Sequence, residues 1–115
     1  MIGAILGDII GSPYEFDRGN KSKEFPLFSR ESTYTDDTVM TLAVSLTFLD
    51  AQPSASDDWI LQNLANRMRQ FGKMYPNAGY GGMFRQWLRN PECKAYNSFG
   101  NGSAMRVSSV AWLYN

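Results

Sequence analysis

The sequence predicts an all-α domain, and three observations lead there. Apolar residues recur at three- and four-residue spacing in several separate segments, the period of an amphipathic helix. Between these segments stand clusters of Pro, Gly, Ser and Asn that break helices. β-prone pieces such as Ser32-Thr33-Tyr34 are too brief to build a sheet.

The first helix is predicted from about Ile2 to Gly11. Ile2, Ile5, Leu6, Ile9 and Ile10 follow helical spacing, while Gly3, Gly7 and Gly11 form a stripe of small residues. Each glycine weakens a helix by about 1 kcal/mol relative to alanine. The stripe therefore implies close packing by another backbone or by a ligand. Ser12-Pro13 ends the helix, and Asp17 to Thr33, polar and mixed, reads as a long loop of the kind that carries function.

The second helix runs from near Thr35 to about Asp50, with Val39, Leu42, Ala43, Leu46 and Leu49 as its apolar face. Pro53 and Ser54 break it. The third follows Ser56, carries Asp57 and Asp58 in its first turn, and continues through Trp59, Ile60, Leu64, Met68 and Phe71 to about Gly72. Pro76-Asn77 and Gly79-Tyr80-Gly81-Gly82 read as a loop, and Met83 to Leu88 as a short helix stopped by Pro91. Gly100-Asn101-Gly102 is a tight loop. From Ser103, the spacing of Met105, Val107, Val110, Ala111 and Leu113 predicts one last helix.

A length of 115 residues suits one domain, residues 1–115, and a composition 43% hydrophobic and 19% charged is globular. Eleven Lys plus Arg balance eleven Asp plus Glu, so there is no broad basic face for nucleic acid or anionic lipid. No stretch approaches the ~20 apolar residues of a membrane helix, and Asp8 interrupts the apolar opening with no basic residues before it, unlike a signal peptide. The lone Cys93 allows no disulfide within the chain; with these features it predicts a cytoplasmic protein. There is no histidine, hence no imidazole base, triad or zinc ligand. Any bound metal must be held by carboxylates and hydroxyls, which favour magnesium, manganese or calcium.

Three segments carry chemical potential, and each has two readings. In Thr35-Asp36-Asp37-Thr38, a hydroxyl and two carboxylates can grip a hard divalent cation that relieves their mutual repulsion. The same residues also make an ordinary helix start, with Thr35 as cap and the acids facing the dipole, and Asp57-Asp58 after Ser56 shows the same pattern further on. In Gly7-Asp8 followed by Gly11-Ser12-Pro13-Tyr14-Glu15, Glu15 stands at the mouth of the long loop, where a carboxylate activates water, contacts a metal or is simply solvated. In Gly100-Asn101-Gly102-Ser103-Ala104-Met105-Arg106, glycines ahead of a helix free backbone N–H groups for phosphate, or form a tight connection capped by Ser103.

Taken in order, Gly-Asp-x-x-Gly-Ser-Pro-Tyr-Glu, Thr-Asp-Asp-Thr and Gly-Asn-Gly-Ser-Ala-Met-Arg resemble the ADP-ribosylglycohydrolase family, from Ile2 to beyond Arg106. The resemblance implies the N-terminal portion of an all-α fold that binds two magnesium or manganese ions and cleaves ADP-ribose from an acceptor. It implies Thr35, Asp36 and Asp37 as metal ligands, with Glu15, Asp36 and Asp37 as the catalytic carboxylates and Glu15 as candidate base or gate. It implies Gly100, Asn101, Gly102 and Ser103 facing the ADP-ribose near its diphosphate, Asp8 as a structural member of the first motif, and Arg106 in a buried ion pair. Such domains are usually more than twice this length, and the second acidic motif that completes their metal site is not among these residues. The rival expectation is a non-catalytic member whose uncovered apolar faces pair in a homo-oligomer or against the remainder of the fold.

Overall fold

The computed structural model describes residues 1–16 and 22–113. Part of the predicted long loop, residues 17–21, and the last two residues lie outside the described residues. The described residues form helices and no strand: α1 (Ile2–Gly11), a 3₁₀ turn (Ser12–Tyr14), α2 (Asp36–Asp50), α3 (Asp57–Met74), α4 (Gly82–Arg89), α5 (Gly102–Met105) and α6 (Ser108–Leu113).

Local chemistry sets the starts of the two long helices. Thr35 is extended at φ −121°, and its hydroxyl accepts from the Asp37 N–H at the start of α2. Ser56 does the same for Trp59 N–H at the start of α3. Asp36 and Asp37, like Asp57 and Asp58, place negative charge at the positive end of a helix dipole.

α2 is the central element, with α1, α3, α5 and α6 packed around it. Val39, Met40 and Ala43 join Met68 of α3, Leu88 of α4, and Ala78 and Tyr80 of the intervening loop in the core. Being packed on several sides, α2 does not keep the single apolar stripe expected. Thr41, Val44, Ser45 and Thr47 are buried as well, whereas Leu49 is 61% exposed. The buried hydroxyls remain satisfied within the helix: Ser45 donates to the Thr41 carbonyl and Thr47 to the Ala43 carbonyl.

Three expectations are corrected. α3 does not stop at Gly72 but runs to Met74, and a Cβ on Gly72 would meet Leu88 Cδ1 at 2.9 Å. That glycine exists in the helix interior because Leu88 occupies the space. Conversely, Gly3, Gly7 and Gly11 meet nothing within 4 Å, so among the described residues no backbone packs on their stripe. α1 buries no residue, and Ile2 is 73% exposed. Finally, the last helix is two short ones, interrupted at Arg106 and Val107. Buried Thr41 donates to the Met105 carbonyl at 3.4 Å, anchoring the end of α5 on α2, and α6 then packs separately against α2.

Candidate active site

The site is organised by Asp8. From α1 its carboxylate accepts four hydrogen bonds from the start of α2. They come from the Thr35 N–H (2.8 Å) and hydroxyl (2.6 Å), and from the Thr38 N–H (3.1 Å) and hydroxyl (2.5 Å). The N–H groups of a first helical turn have no partner inside the helix, so a carboxylate in this position is a strong cap. Ser12, just after α1, extends the seam by accepting from the Thr33 N–H at 3.0 Å. Thr35, Asp36 and Asp37 are thereby fixed relative to α1 and to Glu15, which follows the 3₁₀ turn.

The acids of this corner interact. Burial first, then Asp37, pushes the Asp36 carboxyl up to about 6, with smaller repulsion from Glu15 and Asp8. Burial and the charge of Asp8 raise Asp37, and burial, Asp37 and Asp8 raise Glu15. A cation is the natural relief of such a field. The Thr35 hydroxyl gives its proton to Asp8 and accepts from Asp37 N–H, which leaves one lone pair for a further partner. Thr35, Asp36 and Asp37 are thus chemically suited to a hard divalent ion, but they make only part of a coordination shell. Among the described residues, no group of three or more acidic, Cys or His side chains could hold a metal by itself.

A cleft of about 1120 Å³ opens from this corner, lined by Glu15, Asp36 and Asp37 and, on its other side, by Gly100, Asn101, Gly102 and Ser103. The structure therefore gathers all three sequence segments at one cavity. The loop side is open: Asn101 and Ser103 are exposed, and no side-chain hydrogen bond from Asn101 caps α5.

Arg106 is where the structure departs from expectation. Among the described residues it makes no ion pair; the ion pair formed there is Arg67–Asp50, which joins α3 to the end of α2. The Arg106 guanidinium instead lies 5.2 Å from the Phe84 ring centroid and lines the cleft.

Several site residues escaped the sequence reading. Phe84 stacks on Trp87 with centroids 5.7 Å apart, and Arg69 lies 4.1 Å over Trp87, giving the cleft an aromatic and cationic wall. Arg69 also donates weakly, at 3.4 Å, to the carbonyls of Pro91 and Cys93, tying that loop to α3. Tyr80 is 3% exposed, and burial, with Asp36 and Tyr34 nearby, pushes its hydroxyl up to about 12. Gly79 adopts φ +100°, and its missing Cβ would sit 3.7 Å from Asp36 Oδ1. Only the Gly79-Tyr80-Gly81-Gly82 run hinted at this wall, since a left-handed residue favours glycine; nothing local announced Arg69 or Trp87.

The model of one protein family, described as ADP-ribosylglycohydrolase, matches residues 1–115. Among curated proteins, the chain is 30% identical to the ADP-ribosylhydrolase ARH3 of Mus musculus over 145 aligned positions, covering 100% of this chain and 38% of that protein. It is similarly 30% identical to the ARH3 of Xenopus tropicalis (99% of this chain, 38% of that protein) and 29% identical to that of Homo sapiens (100% and 38%). The chain thus spans well under half the length of these relatives. No solved structure matches it.

Proposed function

The chain belongs to the ADP-ribosylglycohydrolase family, and on that premise we propose that it carries one wall of a site that hydrolyses the N- or O-glycosidic bond of an ADP-ribosyl group. The observation that supports this reading is the shared cleft: the acidic start of α2 and Glu15 on one side, the Gly100–Ser103 loop on the other.

In this proposal Thr35, Asp36 and Asp37 hold Mg²⁺ or Mn²⁺, with the remaining ligands coming from water, substrate or further protein. When bound, the ion supplies Lewis acidity toward the ribose oxygens. Glu15 accepts a proton from the attacking water, a role suited by its raised carboxyl pKa. The water oxygen bonds to the anomeric carbon as the glycosidic bond breaks, and the proton that Glu15 took from the water passes to the leaving nitrogen or oxygen. Positive charge developing on the ribose is stabilised by the neighbouring carboxylates. The Gly100–Ser103 loop holds the ADP-ribose near its diphosphate. A cytoplasmic setting accords with the single free thiol, Cys93, and no described helix is long and apolar enough to cross a membrane.

The test is hydrolysis of an ADP-ribosylated peptide by this chain with Mg²⁺ or Mn²⁺, abolished by Asp36→Ala. A chain with no turnover and a melting temperature indifferent to both ions would sink the catalytic reading.

A second reading is favoured by one feature. A largely apolar groove of about 500 Å³ runs between α1, α2 and α6, bordered by Ile2, Leu49 and Trp112, which are 73%, 61% and 75% exposed. On this reading the chain is a non-catalytic module that self-associates through that side. Light scattering decides it: a monomer at high concentration excludes the dimer.

A further inference from the structure

Among the described residues, buried side-chain polar atoms without a hydrogen-bond partner occur at Arg69 Nε, Tyr80 Oη, Ser108 Oγ and Ser109 Oγ. The serines belong to α6 and Arg69 to the Trp87 wall, whereas Tyr80 stands at the acidic corner, beside Asp36. Tyr80 is 3% exposed. A buried hydroxyl without a partner is unfavourable, and phenylalanine would fill the same space without that cost. Packing alone therefore does not account for the oxygen.

The ring is held firmly where it is. Gly79, at φ +100°, leads the chain into Tyr80, and its missing Cβ would sit 3.7 Å from Asp36 Oδ1, so this backbone passes directly beside that carboxylate. The Tyr80 carbonyl accepts from Arg85 at 3.1 Å. The ring meets Phe84 edge-on at 5.9 Å and shares the core with Val39 and Met40. Gly79 and Gly81 line the cleft, while Tyr80 between them is buried, so its hydroxyl acts on a neighbour and not on a ligand.

That neighbour is an acid. Burial, then Asp36 and Tyr34, pushes the Tyr80 hydroxyl up to about 12, so it keeps its proton and serves as a donor. A carboxylate has two oxygens, and one can face a cation while the other accepts from an O–H. Hydrogen bonds of this kind orient ligating side chains, and losing one typically lowers metal affinity by about 10–100-fold.

We infer that Tyr80 is a positioning residue: its hydroxyl donates to the Asp36 carboxylate when that carboxylate holds a divalent cation, and so fixes the orientation of the ligand. The inference rests on the cation reading of the proposed function, but it concerns a residue outside the ligand set.

The test titrates the full 115-residue chain with Mn²⁺ by calorimetry, for the unmutated protein, Tyr80→Phe and Asp36→Ala, with metal-free thermal melts of each. The unmutated chain should bind Mn²⁺, and Asp36→Ala should abolish binding. Tyr80→Phe removes one oxygen and keeps the ring, so its metal-free melting temperature should hold or rise while its Mn²⁺ affinity falls about tenfold or more. Equal Mn²⁺ affinity in a folded Tyr80→Phe variant overturns the role of Tyr80 and leaves the cation reading intact. No Mn²⁺ binding by the unmutated chain, or binding that survives Asp36→Ala, overturns both. Should Tyr80→Phe melt lower without metal or fail to fold, exchange of the Tyr80 hydroxyl proton in the unmutated chain, read from its labelled Cζ, decides. Slower exchange on adding diamagnetic Mg²⁺ supports the new hydrogen bond, and an unchanged rate rejects it.

Discussion

The carboxylate of Asp8 accepts hydrogen bonds from both the N–H and the hydroxyl of Thr38, thirty residues away, and so ties α1 to the first turn of α2. With the two bonds from Thr35, a single side chain fixes the segment that carries Asp36 and Asp37.

Asp8→Ala should therefore destabilise the chain by about 2–4 kcal/mol, more than an ordinary cap, because it removes bonds to a charged acceptor and leaves part-buried donors unmatched. Asp8→Asn should lose less, since the amide oxygen still accepts. Urea unfolding with an unchanged m-value would measure this, and a loss under ~0.5 kcal/mol would contradict the role assigned to Asp8.

Acid should stabilise this corner of the molecule. Asp36 has a folded pKa of about 6, above the ordinary 3.8, so the folded state favours its protonated form. Its contribution is fully present below about pH 4 and is lost as pH rises through about 6. Raised Asp37 and Glu15 act with the same sign. A carboxyl raised this far corresponds to at most ~3 kcal/mol, and solvent screening at this part-exposed group reduces that to about 1 kcal/mol. Asp36→Asn should raise the melting temperature at pH 7 and flatten its fall between pH 4 and 6. An unchanged profile would show that burial and the neighbouring acids do not disfavour the Asp36 charge as described.

Glycines that look alike in sequence should respond oppositely to alanine. Gly7 has open space around it, so Gly7→Ala should stabilise the isolated chain by up to ~1 kcal/mol through helix propensity. Gly72→Ala introduces a methyl 2.9 Å from Leu88 Cδ1 and should destabilise by about 1 kcal/mol or more despite the same propensity gain. A double-mutant cycle with Leu88→Ala should show favourable coupling between the added methyl at 72 and the truncation at 88. Additive effects would mean that Leu88 does not occupy the space.

Gly79→Ala should cost about 1–2 kcal/mol, because alanine is strained at φ +100°. It also brings a methyl against the Asp36 carboxylate, so any divalent-ion stabilisation seen in the unmutated chain should weaken in the variant. Thermal melts with and without Mn²⁺ check both effects.

The helical class, the starts of α2 and α3 and the three chemical segments were legible in the sequence, because helical period and capping are local. Thr35, Ser56 and the acids after them signal a helix start whatever surrounds them. The segment order Glu15, Asp36-Asp37, Gly100–Ser103 also sufficed for the resemblance to the family that the chain proves to belong to. What the sequence alone left open was whether those segments meet, which depends on how α2 is surrounded. Tertiary structure decided that Asp8 serves Thr35 and Thr38, that Gly72 yields to Leu88 while the α1 glycines face open space, and that the last helix breaks where Thr41 holds Met105. Among the described residues it also left Arg106 without an ion pair. Each of these pairings joins residues far apart in the chain. Their energies depend on packing distances and desolvation, which no local pattern encodes.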